Sequence, residues 1–226
     1  SGVTTINGGV LSVGTLAAGS SNSGIGSSTN TATNLVLGGG TLKYTGSTVS
    51  TDRNFTITDS TTGTIEVTSG SAVLTLTGAA ASSTGGLTKT GSGTLVLSGA
   101  NAYTGTTTIS AGTLKLGTGG SLSSSTALSM GGTSATLDLY GNSQSFASIT
   151  GSAVGDIILN SLTSSTSTLT VTGGTTTFAG VIKNNSGSGG TVALTVDGAT
   201  LTLSGANTYT GTTTLTSGAL LVGVAT

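Results

Sequence analysis

Short runs of apolar residues alternate with Thr, Ser or Lys along this chain, and each run is bounded by Gly or Ser. Leu95-Val96-Leu97, Leu114-Lys115-Leu116, Thr136-Leu137-Asp138-Leu139 and Leu201-Thr202-Leu203 are typical. Alternation with a period of two over a few residues predicts half-buried β-strands. No stretch keeps helical spacing beyond a turn or two, and the helix-favouring Glu, Lys, Arg and Gln are scarce. The pattern predicts an all-β chain, with Leu, Ile and Val pointing inward and Thr pointing outward, where its branched Cβ suits a strand.

The runs recur in a longer pattern. Residues 2–14 read GVTTINGGVLSVG, residues 105–117 GTTTISAGTLKLG and residues 211–223 GTTTLTSGALLVG. The preceding LVLSGANAYTG (95–105) and LTLSGANTYTG (201–211) also match. From Gly2 to Gly105 is 103 residues and from Gly105 to Gly211 is 106. Self-similarity with short strands points to a solenoid. Propeller blades and β-sandwiches usually carry more aromatic residues than the 3% here. At about 20 residues per coil the chain would form roughly ten coils, ~50 Å long at ~4.8 Å per coil. It reads as one solenoid over 1–226, with repeat units 2–104 and 105–210 and a partial third unit 211–226. Gly at fixed offsets would supply positive φ at corners. Asn101 and Asn207, in matching turns, would hydrogen-bond their own backbone and tolerate the left-handed region.

Composition sharpens this reading. Gly, Ser and Thr make up more than half the chain, and charged residues are only 5%, against about 25% in an average domain. Such a mixture can be disordered, but the mean hydropathy is positive and the apolar residues are ordered into runs. A net charge of −1 gives no attraction to nucleic acid or an anionic membrane. No apolar run approaches the roughly 18 residues needed to span a bilayer. Pro, which would interrupt strand pairing, is absent, as are Cys, His and Trp. The start at Ser1 suggests a processed or excised segment.

Residues 85–117, GGLTKTGSGTLVLSGANAYTGTTTISAGTLKLG, closely resemble the autotransporter-associated β-strand repeat, also called the passenger-associated transport repeat. Lys89, Gly91, Gly93, Leu95, Leu97, Gly99, Asn101, Tyr103, Gly105, Thr107, Ile109, Gly112, Leu114 and Leu116 fill its pattern. A second copy, 189–223, departs where Val196-Asp197-Gly198-Ala199 replaces the glycine-rich turn. The resemblance covers about a third of the chain. It implies a right-handed parallel β-helix, secreted to or held at the surface of a Gram-negative cell, and it implies no single activity.

Six carboxylates are present: Asp52, Asp59, Glu66, Asp138, Asp156 and Asp197. Only Asp52, Arg53, Asp59 and Glu66 cluster along the chain, and coils could bring them together as in polysaccharide-cleaving β-helices. The simpler reading is solvated loop charges and a surface ion pair. The serines lack a base, so nucleophilic catalysis has no support. Gly38-Gly39-Gly40 and Gly187-Ser188-Gly189-Gly190 are not phosphate loops, since no Lys-Ser/Thr follows and no helix begins there. The calcium nonapeptide is missing. Thr-x-Thr triplets such as 56–58, 75–77, 170–172 and 200–202 could form an ice-binding ladder, but they follow no fixed coil length and read as ordinary outward positions. Tyr103 and Tyr209 read as turn caps.

These residues predict a non-enzymatic extracellular structural protein, a stalk, filament or matrix subunit, with no catalytic, cofactor or metal site. A solenoid that begins and ends mid-motif without a cap would stack end to end on a copy of itself or within a longer array. The alternatives are an adhesin or glycan-binding passenger module and, on fold alone, a polysaccharide-active enzyme. The Ser and Thr density leaves room for O-glycosylation.

Overall fold

The computed structural model describes residues 2–187 and 189–223. Ser1 and residues 224–226, the two termini considered for end-to-end stacking, and Ser188 lie outside the described residues. The chain is a parallel β-solenoid of about eight turns. Every strand pairing is parallel, and the one helical element among the described residues is the 3-10 turn Ala32–Asn34.

Each turn lays strands on three faces. Face A holds Thr4–Ile6, Leu35–Leu37 and Thr56–Ile57, and higher up Ala100–Asn101, Ser121–Leu122, Gln144–Phe146 and Thr166–Val171. Face B runs from Val10–Val13 and Thr41–Tyr44 through Thr62–Val67, Gly86–Thr90, Thr107–Ile109, Ala127–Met130 and Ser148–Gly151 to Thr175–Phe178. Face C runs from Val49–Thr51 to Val181–Ile182 in seven strands. The last strands, Thr191–Leu203 and Thr213–Val222, pass from face A to face B without a break. Their neighbour register shifts between Val196 and Thr200, where the motif departs from its glycine-rich form.

The period-two pattern decides what is buried. On face B the inward column reads Leu42, Ile65, Lys89, Ile109, Met130 and Gly151, so a turn takes between 20 and 24 residues there. All six are buried, while Thr64, Thr88 and Thr108 beside them face outward and are partly exposed. The first turn is longer: Leu11 stacks on Leu42, 31 residues on. Long corners of this type explain why the turns are slightly fewer than the ten expected at a uniform coil length.

The sequence repeat and the coil do not share a period. Thr107–Ile109 and Thr113–Leu116 occupy faces B and C, whereas the equivalent residues of the other two copies, 4–13 and 213–222, occupy faces A and B. The motif therefore fits more than one pair of adjacent faces, A with B and B with C. What it fixes is the corner: Gly9, Gly112 and Gly218, at the same motif position, have φ of 67°, 66° and 87°.

The asparagines do half of what the sequence suggested. Asn101 Nδ2 donates to Gly99 O at 2.8 Å and Ser121 O at 3.2 Å, and its Oδ1 accepts from Ala80 N at 2.9 Å. Asn207 Nδ2 donates to Gly205 O at 2.8 Å, and its Oδ1 accepts from Ile182 N at 2.8 Å. Neither has positive φ; that role falls to the glycines and to Ser20, Ser60, Tyr140 and Ser164. Each asparagine ties its corner to the coil below, so Asn101→Ala strands buried partners and should cost about 2 kcal/mol, read from the urea midpoint.

The corner after the first described turn is long: residues 15–34 leave that turn, fold back against it and return. Gly24 N donates to Thr15 O at 3.0 Å, Ser20 N donates to Ser28 O at 2.9 Å, and Thr4 Oγ1 donates to Ile25 O at 3.3 Å. Ile25 joins the apolar core with 7% exposure. Ile6 and Val13 beneath this loop are 4% and 5% exposed, whereas Leu215 and Val222, at the same motif positions in the last turn, are 52% and 72% exposed.

Candidate functional site

The four residues that cluster in sequence, Asp52, Arg53, Asp59 and Glu66, have separate tasks. Arg53 is not a solvated loop charge; it is 1% exposed. Its Nε donates to Ala17 O at 2.8 Å, Nη1 to Ser28 O and Oγ at 3.1 Å each, and Nη2 to Gly26 O at 2.9 Å. Among the described residues it has no carboxylate partner. Buried arginine needs all its donors satisfied, and this planar fork meets a ring of carbonyls. Asp52 accepts from Gly19 N at 2.7 Å and Asn30 Nδ2 at 3.1 Å. Asp59 accepts from Thr84 N at 2.7 Å. Glu66 pairs with Lys43 of the neighbouring turn at 3.1 Å on the outer surface.

A tighter cluster lies on face C, and linear spacing hid it. Lys115 Nζ is 3.4 Å from Asp138 Oδ2 and donates to Ser161 Oγ at 3.3 Å. Ser161 Oγ donates to Asp138 Oδ2 at 2.6 Å, and Asp138 Oδ1 accepts from Tyr140 N and Ser161 N at 3.0 Å each. The lysine also sits 3.5 Å from the Tyr140 ring centroid. Lys115 and Asp138 are register partners one turn apart, and Ser161 lies two residues past Leu159, the partner of Asp138 on the next turn. The chemistry is that of a knot: Ser161 gives its proton to a carboxylate already held by an ammonium and two N–H groups. A base for nucleophilic attack would need a free lone pair on a strong acceptor.

Lys89 and Asp156 are fully buried as well. Lys89 stands in the inward column of face B, and its Nζ donates to Thr90 O and Gly91 O at 2.8 Å and Ala111 O at 3.1 Å. Burial pulls this ammonium down from 10.5 to about 8, with Glu66 opposing the fall. Asp156 accepts from Ala135 N at 3.0 Å through Oδ1, while Oδ2 has no partner. Burial pushes its carboxyl up, against the pull of the Ala135 and Ala153 amides. Neither residue opens onto a surface where a substrate could meet it.

The lysine carries a pH signature. Its folded pKa lies below the unfolded value, so between about pH 8 and 10.5 the unfolded chain binds more protons and stability rises with pH. Wild type should gain stability relative to Lys89→Met across that window, measured as the difference in urea midpoints at pH 7 and pH 10.

The tyrosines are turn caps. Tyr103 is buried, with its hydroxyl 2.8 Å from Thr107 Oγ1, and Tyr209 repeats the contact with Thr213 Oγ1 at 2.9 Å. Burial pushes the Tyr103 phenol up, with the Thr107 bond opposing.

The outward threonines do align. Thr41, Thr64, Thr88, Thr108, Ser129 and Thr150 stack in one column of face B. Their sequence spacing varies with coil length, which masked the column. The ladder is one residue wide, because the next outward positions change from Lys43 and Glu66 to Thr90, Ser110 and Gly131. It is therefore not the flat two-dimensional hydroxyl lattice an ice surface would match. Near its upper end Ser129, Met130, Thr150, Gly151, Thr177 and Ala179 line an open groove of about 480 Å³ without a charged or aromatic side chain. Among the described residues no group of three or more His, Cys, Asp or Glu could hold a metal ion, and no helix is long and apolar enough to cross a membrane.

Residues 87–116 and 196–222 match the passenger-associated-transport-repeat family. These two stretches are similar to passenger-associated transport repeats. The first match begins beside the buried lysine and ends on Leu116, and the second ends on the last strand. A 102-residue stretch is 42% identical to the adhesin BmaC autotransporter of Brucella suis biovar 1 (strain 1330), covering 45% of this chain. The chain spans about 3% of the length of that relative, by the extent of the match. No solved structure matches the chain.

Proposed function

We propose that this chain is a length of autotransporter passenger exposed at or beyond the bacterial outer surface, where it acts as a rigid, chemically inert spacer. The carrying observation is that every charged or strongly polar group buried in the coil stack has a structural partner, or lies sealed from solvent. Arg53, Lys89 and Asn101 bind backbone carbonyls, Asp138 is enclosed in its own knot, and Asp156 is out of reach. Stacked pairing through about eight turns gives a rod ~40 Å long that transmits load along its axis. The repeat motif fits two different pairs of adjacent faces, which suits a rod that is lengthened by adding turns.

Adhesion is the second reading, favoured by the name of the Brucella relative. A surface made chiefly of Thr, Ser and Gly, with no exposed aromatic cluster, offers little grip on a glycan. The test is display of the chain on beads, probed against a glycan array and host-cell surfaces. A spacer gives no saturable binding. Saturable binding lost on changing residues of one face would replace the spacer reading with an adhesin. Unchanged sugar polymers after prolonged incubation would likewise dispose of the polysaccharide-active alternative.

A further inference from the structure

Tyr140, at the corner after Asp138, has φ of 45°, a left-handed backbone that a bulky aromatic residue rarely adopts. This corner does two things. It sets the Tyr140 N–H 3.0 Å from Asp138 Oδ1, and it lays the ring 3.5 Å from Lys115 Nζ. The other two copies of the repeat motif have Ser12 and Leu221 where Lys115 stands, so the motif itself does not require this lysine. Lys115 and Asp138 are register partners on adjacent turns of face C. The stack therefore holds an amine and a carboxyl against each other with the freedom of both already lost on folding.

The contacts around this carboxyl are those that amide formation needs. Oδ1 accepts from Tyr140 N and Ser161 N at 3.0 Å each. Two such donors stabilise the oxyanion that forms when a nucleophile adds to a carboxyl carbon. Oδ2, the oxygen that would leave, accepts from Ser161 Oγ at 2.6 Å. Lys115 Nζ stands 3.4 Å from the same Oδ2 and 3.3 Å from Ser161 Oγ. The Asp138 side chain is 7% exposed and the Tyr140 ring covers one side of the amine, so little water reaches the pair.

We propose that Lys115 and Asp138 join as a side-chain amide, a covalent staple between two adjacent turns. The ion pair is the resting state. One ammonium proton passes to Oδ2, which gives a free amine and a carboxylic acid. Nζ then adds its lone pair to the carboxyl carbon, and Oδ1 takes the negative charge between its two N–H donors. The attacking nitrogen gives a second proton, relayed by the Ser161 hydroxyl, to Oδ2 as the bond from carbon to Oδ2 breaks. Oδ1 returns to a carbonyl. One C–N bond has formed, one C–O bond has broken and one water has left, with nothing oxidised or reduced. The staple ties turn to turn where hydrogen bonds alone would otherwise carry load. It goes beyond the spacer reading and is independent of it, because an adhesive passenger would be stapled in the same way.

The experiment is mass spectrometry of the folded 226-residue chain, incubated at neutral pH until its mass is constant, then denatured and digested with trypsin. Trypsin cuts after Lys89, Lys115 and Lys183, but not after a lysine whose amine is part of an amide. The stapled chain should be lighter by one water and yield residues 90–183 as a single peptide. Lys115→Arg and, separately, Asp138→Ala should keep their full mass and yield 90–115 and 116–183 apart. Lys115→Arg keeps the positive charge and serves where Asp138→Ala does not fold. Ser161→Ala, which keeps the backbone donor and loses the proton relay, should form the bond roughly a hundredfold more slowly. Wild type that keeps its full mass and is cut after Lys115 holds an ion pair only, and overturns the proposal. A lost water with Lys115 still cut would also overturn it, since the water would then have left in a succinimide at an aspartate. A lighter, uncut 90–183 peptide from Asp138→Ala would end it too, and a wild-type rate in Ser161→Ala would overturn the proton path.

Discussion

Replacing Phe178 with alanine is expected to lower stability by about 3–5 kcal/mol, the largest loss of any single truncation in the stack. Phe178 is fully buried in the inward column of face B, between Gly151 on one turn and Leu203 on the next. Its ring fills the space that a side chain at 151 would take: a Cβ added at Gly151 would stand 2.9 Å from a ring carbon. The column reads large, small, large through Met130, Gly151 and Phe178. Truncating the ring empties a space that rigid turns on either side cannot close. In the Phe178→Ala background, Gly151→Ala should recover about 1 kcal/mol, whereas alone it should be destabilising. Urea unfolding followed by circular dichroism checks all three chains.

Gly112→Val should approach that cost, at about 3 kcal/mol or more, for a different reason. Gly112 has φ of 66°, and an added Cβ would lie 2.5 Å from both Gly91 O and Gly93 O of the turn below. A β-branched residue is disfavoured in this region of φ, and here it would also push two corners apart. Neighbouring turns share every pairing, so the disturbance spreads one turn each way and dies out. Hydrogen exchange should show protection lost around residues 86–97 and 107–130 and retained near 200. A uniform loss along the chain would argue against stacking by nearest neighbours.

How much of this was legible depends on the distance over which each feature is encoded. Strand, inward face and corner glycine are local, so Leu95, Leu97, Gly112 and Leu116 could be placed from the alternation and the motif. The threonine column from Thr41 to Thr150 depends on where one turn ends and the next begins, and the turns vary between 19 and 31 residues. Lys115, Asp138 and Ser161 form a knot only because Lys115 and Asp138 fall in register on adjacent turns of face C and the next turn brings Ser161, just past Leu159, beside them. Arg53 was the hardest. A charge beside Asp52 in a polar stretch looks solvated, and nothing near it in sequence reveals that its partners are carbonyls 25 to 36 residues earlier. Lys89 stood out as a motif position, but its inward direction follows only from its column neighbours Ile65 and Ile109.

Everything proposed above depends on each turn lying in parallel register on the one before it. Cysteine pairs test that directly, because the chain has no cysteine of its own. Thr88 and Thr108 are register partners on adjacent turns, whereas Thr64 and Thr108 are two turns apart, with Thr88 between them. A disulfide needs Cα atoms within roughly 7 Å, which one turn of ~4.8 Å satisfies and two do not. Under mild oxidation Thr88→Cys with Thr108→Cys should cross-link within the monomer and Thr64→Cys with Thr108→Cys should not. The reverse outcome, or equal cross-linking of both pairs, would contradict the stacked solenoid.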